Sequence, residues 1–167
     1  SLAIDRVAIT EGLLQAGEVP MAQMSSPAHF GYNPNVPAFE YDLEAAKAIT
    51  AANAELAATP ATLATAPVFD QRIVQALQQM LNDAGFNVSI AMNDMPTFLS
   101  IVRSDPSENS ELNFGRWSCA CQDADGIAYP TLHSTSSWSR VNVPEIDSLL
   151  DEARASLDTS VRQAAYN

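Results

Sequence analysis

The chain has 167 residues, 47% of them hydrophobic and 17% charged, enough to bury one core, and no apolar run is long enough to cross a bilayer as a helix. Eight basic residues face 20 acidic ones, a net charge of -12 spread along the chain. A field of that sign repels phosphate backbones and anionic lipid, which sets aside nucleic-acid binding and membrane adsorption and leaves small solutes and other proteins as partners.

Leu2 to Leu14 mixes apolar residues with Asp5, Arg6 and Glu11, and predicts a helix that Gly12 and Gly17 weaken toward a loop. Four prolines, two asparagines and one glycine between Glu18 and Phe39 predict a long irregular strap. Asp42 is placed to cap the next helix, with Glu44 in its first turn and an alanine-rich run to about Leu56. Pro60 closes that region, and "ATLATA" is β-capable.

Ile73, Ala76, Leu77, Met80, Leu81 and Ala84 repeat on one helical face, which Gly85 ends in the left-handed region. Phe86, Val88, Ile90 and Met92 then alternate with Asn87, Ser89 and Ala91, the period of a half-buried strand. Strand, helix and strand in this order favour a right-handed parallel crossover. "MPTFLSIVRSD" predicts a short helix, and "LNFGRWS" alternates as a third strand that brings Trp117 to its carboxyl end, where open α/β sheets place ligands.

After a serine-rich loop containing Trp138, Pro144 opens a helix with Ile146, Leu149, Leu150, Ala153 and Leu157 as its buried stripe and Asp147, Asp151, Glu152 and Arg154 facing out. The chain starts inside one helical pattern and stops inside another, "SVRQAAYN", as expected of a piece of a longer protein. The whole reads as one α/β domain over residues 1–167, a small mixed sheet flanked by helices.

The stretch "RWSCACQDADG" does not look like scaffold. Cys119 and Cys121 share one face of an extended strand, where a disulfide across one residue would be strained. A metal would need ligands gathered from afar, since His29 and His133 are the only histidines. Two small side chains lining or backing a pocket is the simpler reading. Trp117 either stacks on a solute or fills the core, and Trp138 and Tyr129 face the same choice. No nucleophile elbow and no phosphate-cradling glycine loop occurs.

In order and spacing, "LAIDRVAI", "FEYDLEAAKAI", "IVQALQQMLNDAGFNVSI", "MPTFLSIV", "RWSCACQDADG" and "VPEIDSLLDEAR" resemble the C-terminal lobe of extracellular solute-binding proteins of family 5, the oligopeptide, dipeptide and nickel type receptors of bacterial ABC importers. The resemblance implies one lobe of a type II periplasmic-binding-protein fold, a periplasmic location (or an extracellular, membrane-anchored one in a Gram-positive host) and delivery of a small solute or short peptide to a membrane permease. It also implies a monomer without cofactor or metal, and a ligand segment at Trp117, Ser118, Cys119, Ala120 and Cys121.

Peptide-binding members place an aspartate three residues after the tryptophan, for the ligand's α-ammonium group. Here that position is Ala120, so the charge is missing. Asp123 matches another acidic position of the family, structural in role, and either Asp123 or Asp125 would need a local shift to reach a cation. The resemblance favours a binding module that performs no chemistry. The alternatives are a small α/β enzyme with Cys119 or Cys121 as thiolate nucleophile and His133 as base, and a protein-interaction domain without a pocket.

Overall fold

The structure, a computed structural model, describes residues 1–14, 17–105, 109–117 and 122–167. They form two compact units, Ser1–Pro20 with Ala38–Arg116 and Met21–Pro37 with Trp117–Asn167.

In the first unit, acidic caps set where the helices begin. Asp5 accepts from the Ala8 amide at the head of α1 (Arg6–Leu13), and Asp42 from the Ala45 amide at the head of α2 (Leu43–Ala52), satisfying donors that the first turn leaves over. The alanine run continues as α3 (Ala54–Ala58). Pro60 then opens β1 (Pro60–Thr65), at the strand's first position, where a missing N–H is tolerated. Asp70 caps α4 (Gln71–Asp83), which leads into β2 (Asn87–Met92); Asp94 caps α5 (Met95–Arg103), and β3 is Leu112–Asn113.

The sheet runs β2-β1-β3, and both described pairings are parallel, with Pro60 opposite Asn87, Thr65 opposite Met92, and Leu63 opposite Leu112. As the central strand β1 is covered on both faces, so Leu63, Ala64, Thr65 and Ala66 are buried without alternation. Leu63 packs with Val74, Val88, Leu77 and Leu81 on the α4 side, while Ala64 and Ala66 pack with Phe98 and Phe69 on the α5 side. Val74, next to the expected face of α4, is its fully buried residue and Ile73 only half so, because the sheet sits against the 74/77/81 row of a broad apolar stripe.

Gly85 has φ +99, as expected at a helix end, and a Cβ there would lie 2.8 Å from the Thr50 hydroxyl oxygen. Alternation in β2 holds for Val88 and Ile90 only; Phe86 and Met92 are exposed. The Val88 amide donates to Asn82 Oδ1 at 2.8 Å, and its carbonyl accepts from Gln78 Nε2 at 3.0 Å and Asn82 Nδ2 at 3.1 Å.

The third strand is much shorter than its sequence pattern suggests. Leu112 and Asn113 pair with β1, the Phe114 amide adds one bond to the Ala64 carbonyl, and the strand ends before Gly115, a residue that weakens strands. On the other side the Glu111 carboxylate, not its backbone, takes the Thr62 amide at 2.8 Å, which holds this carboxyl below its ordinary range. Trp117 is therefore not carried on a strand.

Among its described residues the second unit has three helices, α6 (Asp125–Leu132), α7 (Pro144–Ala155) and α8 (Thr159–Tyr166). The strap enters it as Met21–Pro37, without regular structure, as its prolines require. Phe30 forms a parallel bridge to Asp123, its amide donating to Gln122 and its carbonyl accepting from Ala124. Gln23 closes the strap on itself by bonding both the amide and the carbonyl of Asn33. On α7, Leu150 and Ala153 are buried as expected, but Leu149 is exposed and Leu157 is fully so, since the helix ends at Ala155 before the stripe reaches it.

Candidate functional site

The site argued from the sequence is Trp117 to Cys121. Trp117 lies in the second unit and is 39% exposed, while Ser118, Cys119, Ala120 and Cys121 lie outside the described residues. The placement of Trp117 starts from α6. That helix was hidden in the sequence because it contains Gly126 and Pro130, both poor helix residues.

Pro130 has no N–H to give to the carbonyl four residues back, which is that of Gly126. That carbonyl accepts from Trp117 Nε1 instead, at 3.1 Å. A pattern of tryptophan followed nine residues on by glycine, and four further by proline, is the signal from which the pairing was legible. The Trp138 ring meets that of Trp117 edge to face, centroids 5.2 Å apart at 87°, so the half-buried Trp138 braces the exposed indole.

The acids that follow are tied down. Asp123 accepts from Arg162 through both oxygens at 2.9 Å, and also from the Asp125 amide, in keeping with the structural role the resemblance gives it. Asp125 receives a two-point contact from Arg154, at 3.1 and 2.9 Å. These carboxylates push both guanidinium groups above their ordinary range. Arg154 also lies over the Tyr129 ring, 3.3 Å from its centroid, and Arg162 over Phe30 at 4.8 Å. Arg154 was expected only to face solvent and Arg162 was not singled out in the sequence, so the expected outward face of α7 is only partly a solvated one.

Tyr129 stacks on His133 with centroids 4.3 Å apart. His133 is 5% exposed, its Nδ1 accepting from the Thr135 amide and its Nε2 standing 3.4 Å from Asp151 Oδ1, an ion-pair distance without hydrogen-bond geometry. Asp147 accepts from both the amide and the hydroxyl of Ser134, and these two donors, side chain first, hold its carboxyl below the ordinary range. His133 is thus packed as a joint between α6 and α7, not presented as a surface base. His29 is engaged with the Ser26 hydroxyl inside the strap. Among the described residues no three metal-ligating side chains converge.

Residues 1–139 match the family described as bacterial extracellular solute-binding proteins, family 5 middle. The chain belongs to this family. No curated protein sequence matches it. Among solved structures, this family 5 chain is similar to HbpA2 from Haemophilus parasuis, with 23% identity and a TM-score of 0.84 over 98% of this chain and 34% of that one. It is similar to the ABC transporter-associated periplasmic binding protein DppA from Helicobacter pylori in complex with the peptide STSA, with 21% identity and a TM-score of 0.85 over 99% and 33%. A third likeness is to the Escherichia coli murein tripeptide binding protein MppA, with 24% identity and a TM-score of 0.81 over 100% and 34%.

At these identities the likeness is one of fold, and it bears out the α/β periplasmic-binding-protein architecture expected from the sequence. The family 5 chain spans about a third of the length of these solved relatives, of which DppA and MppA are binding proteins.

Proposed function

We propose that the chain is most of the C-terminal ligand-binding lobe of a receptor that captures a small solute, peptide-like or another polar molecule, in a cleft between lobes and delivers it to the permease of an ABC importer. Membership of the family 5 solute-binding proteins carries this reading. The receptor works as a monomer, in the periplasm or anchored outside a Gram-positive cell, and performs no chemistry. The exposed indole of Trp117, with the segment Ser118 to Cys121 that follows it, is the ligand-contacting part of the lobe.

Binding drives closure because the solute gains contacts in the closed form that the open form lacks. The test is native mass spectrometry of the full-length receptor purified from its host, together with small-angle scattering before and after ligand removal. A carried solute whose loss opens the molecule is the expected result. An unliganded protein that turns over a thiol-reactive substrate would replace this reading with the cysteine enzyme.

A further inference from the structure

His133 closes α6 and is buried. Its Nδ1 accepts from the Thr135 amide at 3.2 Å and meets the Thr135 hydroxyl at 2.8 Å. A ring nitrogen that accepts from an N–H carries no proton of its own, so the neutral ring keeps its single proton on Nε2. That atom is buried as well, 3.4 Å from Asp151 Oδ1 and without hydrogen-bond geometry to it.

A second proton changes the roles around the ring. Nδ1 becomes a donor, so the Thr135 amide loses its acceptor and two donors point at one another. The carboxylates beside the new charge are both on α7: Asp151, and Asp147 with its Oδ1 3.9 Å from Nδ1. The other titratable or charged groups here are Tyr129 of α6, stacked on the imidazole, and Arg154 of α7, which lies over the Tyr129 ring and is paired with Asp125. Asp147 already accepts from the amide and hydroxyl of Ser134, so an imidazolium drawn to it competes for a second bond of the same turn.

From that turn a series of bonds leads to the tryptophans. The Ser136 amide donates to the His133 carbonyl at 3.0 Å, and its hydroxyl to the Pro130 carbonyl at 2.6 Å. The Trp138 amide donates to the Ser136 hydroxyl oxygen at 3.3 Å, and the Trp138 ring ends the series edge to face on Trp117.

From this geometry we infer that His133 is a proton-operated catch on the tryptophan pair. Neutral, it holds the turn 134–139 by the Thr135 amide. Protonated, it lets that amide go and is drawn to the α7 carboxylates, and Trp138 shifts against Trp117. The catch depends on contacts within the second unit, whether or not Trp117 meets a solute.

The test is a titration of the full-length protein from about pH 8 to 5, the range in which histidine side chains change charge. The histidine rings carry 13C and the indoles 15N, and Trp117→Phe, Trp138→Phe and His133→Asn assign the signals. We expect the two indole signals to move together, with the midpoint of the His133 ring signal. In His133→Asn, whose side-chain oxygen can still take the Thr135 amide but gains no charge, both should stay at their high-pH positions. Indole signals that stay fixed in the wild-type protein, or that follow a midpoint other than that of His133, overturn the inference. So do indoles that still titrate in His133→Asn; if that variant does not fold, the wild-type titration decides by itself.

Discussion

The indole N–H of Trp117 occupies the hydrogen bond that Pro130 is unable to make: the Gly126 carbonyl, orphaned inside α6, is satisfied by a side chain from outside the helix. A helix defect and the placement of the candidate ligand residue are therefore one feature. Pro130→Ala would restore an N–H that competes for that carbonyl. The Trp117 bond, worth about 0.5–1.5 kcal/mol, should weaken, and its indole 1H–15N resonance should shift and exchange faster with solvent. Stability should not fall, since alanine suits the helix better. An unmoved indole signal would separate the two residues.

Gly31 leaves no room for a side chain in the strap. It has φ +86, and a Cβ would fall 2.5 Å from Ala124 Cβ and 2.8 Å from Tyr166 Cδ2. Gly31→Ala should cost about 1–3 kcal/mol for overpacking, with roughly 1–2 kcal/mol more for a side chain in the left-handed region. Gly12, inside α1 with nothing within 4 Å of its Cβ position, is the control. Gly12→Ala should be neutral or stabilise by up to about 1 kcal/mol. Chemical denaturation of both variants compares them directly.

Acid should loosen the α6–α7 joint through Asp147. Its carboxyl is depressed in the folded protein, chiefly by the Ser134 hydroxyl and then by the Ser134 amide. A depressed folded value means that this contribution is complete above the unfolded carboxylate value of about 3.9, and is lost as the pH falls through the folded one. Ser134→Ala removes the stronger donor, so the acid unfolding transition followed by circular dichroism should move to higher pH. Superimposable acid limbs for the two proteins would show that the contact is not linked to folding.

On the proposed receptor reading, residues 1–167 alone should bind the solute feebly, because one lobe by itself would have only part of the contacts that favour closure. Calorimetry with the solute released from the full-length receptor measures this. Tight one-to-one binding would place the whole recognition surface within this chain.

What was legible in the sequence is what local chemistry decides. Asp42 caps a helix by reaching three residues ahead, and Gly85 ends one by its own φ, so both could be read without knowing the fold. The parallel crossover from β1 through α4 to β2 followed from periodicity in the same way. Where a distant partner decides, the reading failed. Pro130 argued against a helix that Trp117 makes tolerable, and Asp147 looked solvated until Ser134 came against it. "LNFGRWS" has a strand's alternation, but the Glu111 side chain takes the Thr62 amide and the pairing stops at Asn113. For the ligand segment, Trp117 is placed by its neighbours, and Asp123 and Asp125 proved to be occupied by Arg162 and Arg154, which lie far along the chain.

The amide side chains of Gln78 and Asn82 on Val88 bear on how this protein survives at high concentration. A six-residue parallel strand at the margin of a sheet is a template on which another molecule's chain could zip up and start a fibre. With both main-chain groups of Val88 already gripped from the neighbouring helix, an incoming chain would have to break those bonds before gaining its own. Asn82→Leu, by freeing the Val88 amide and leaving its carbonyl to Gln78 alone, would weaken that guard.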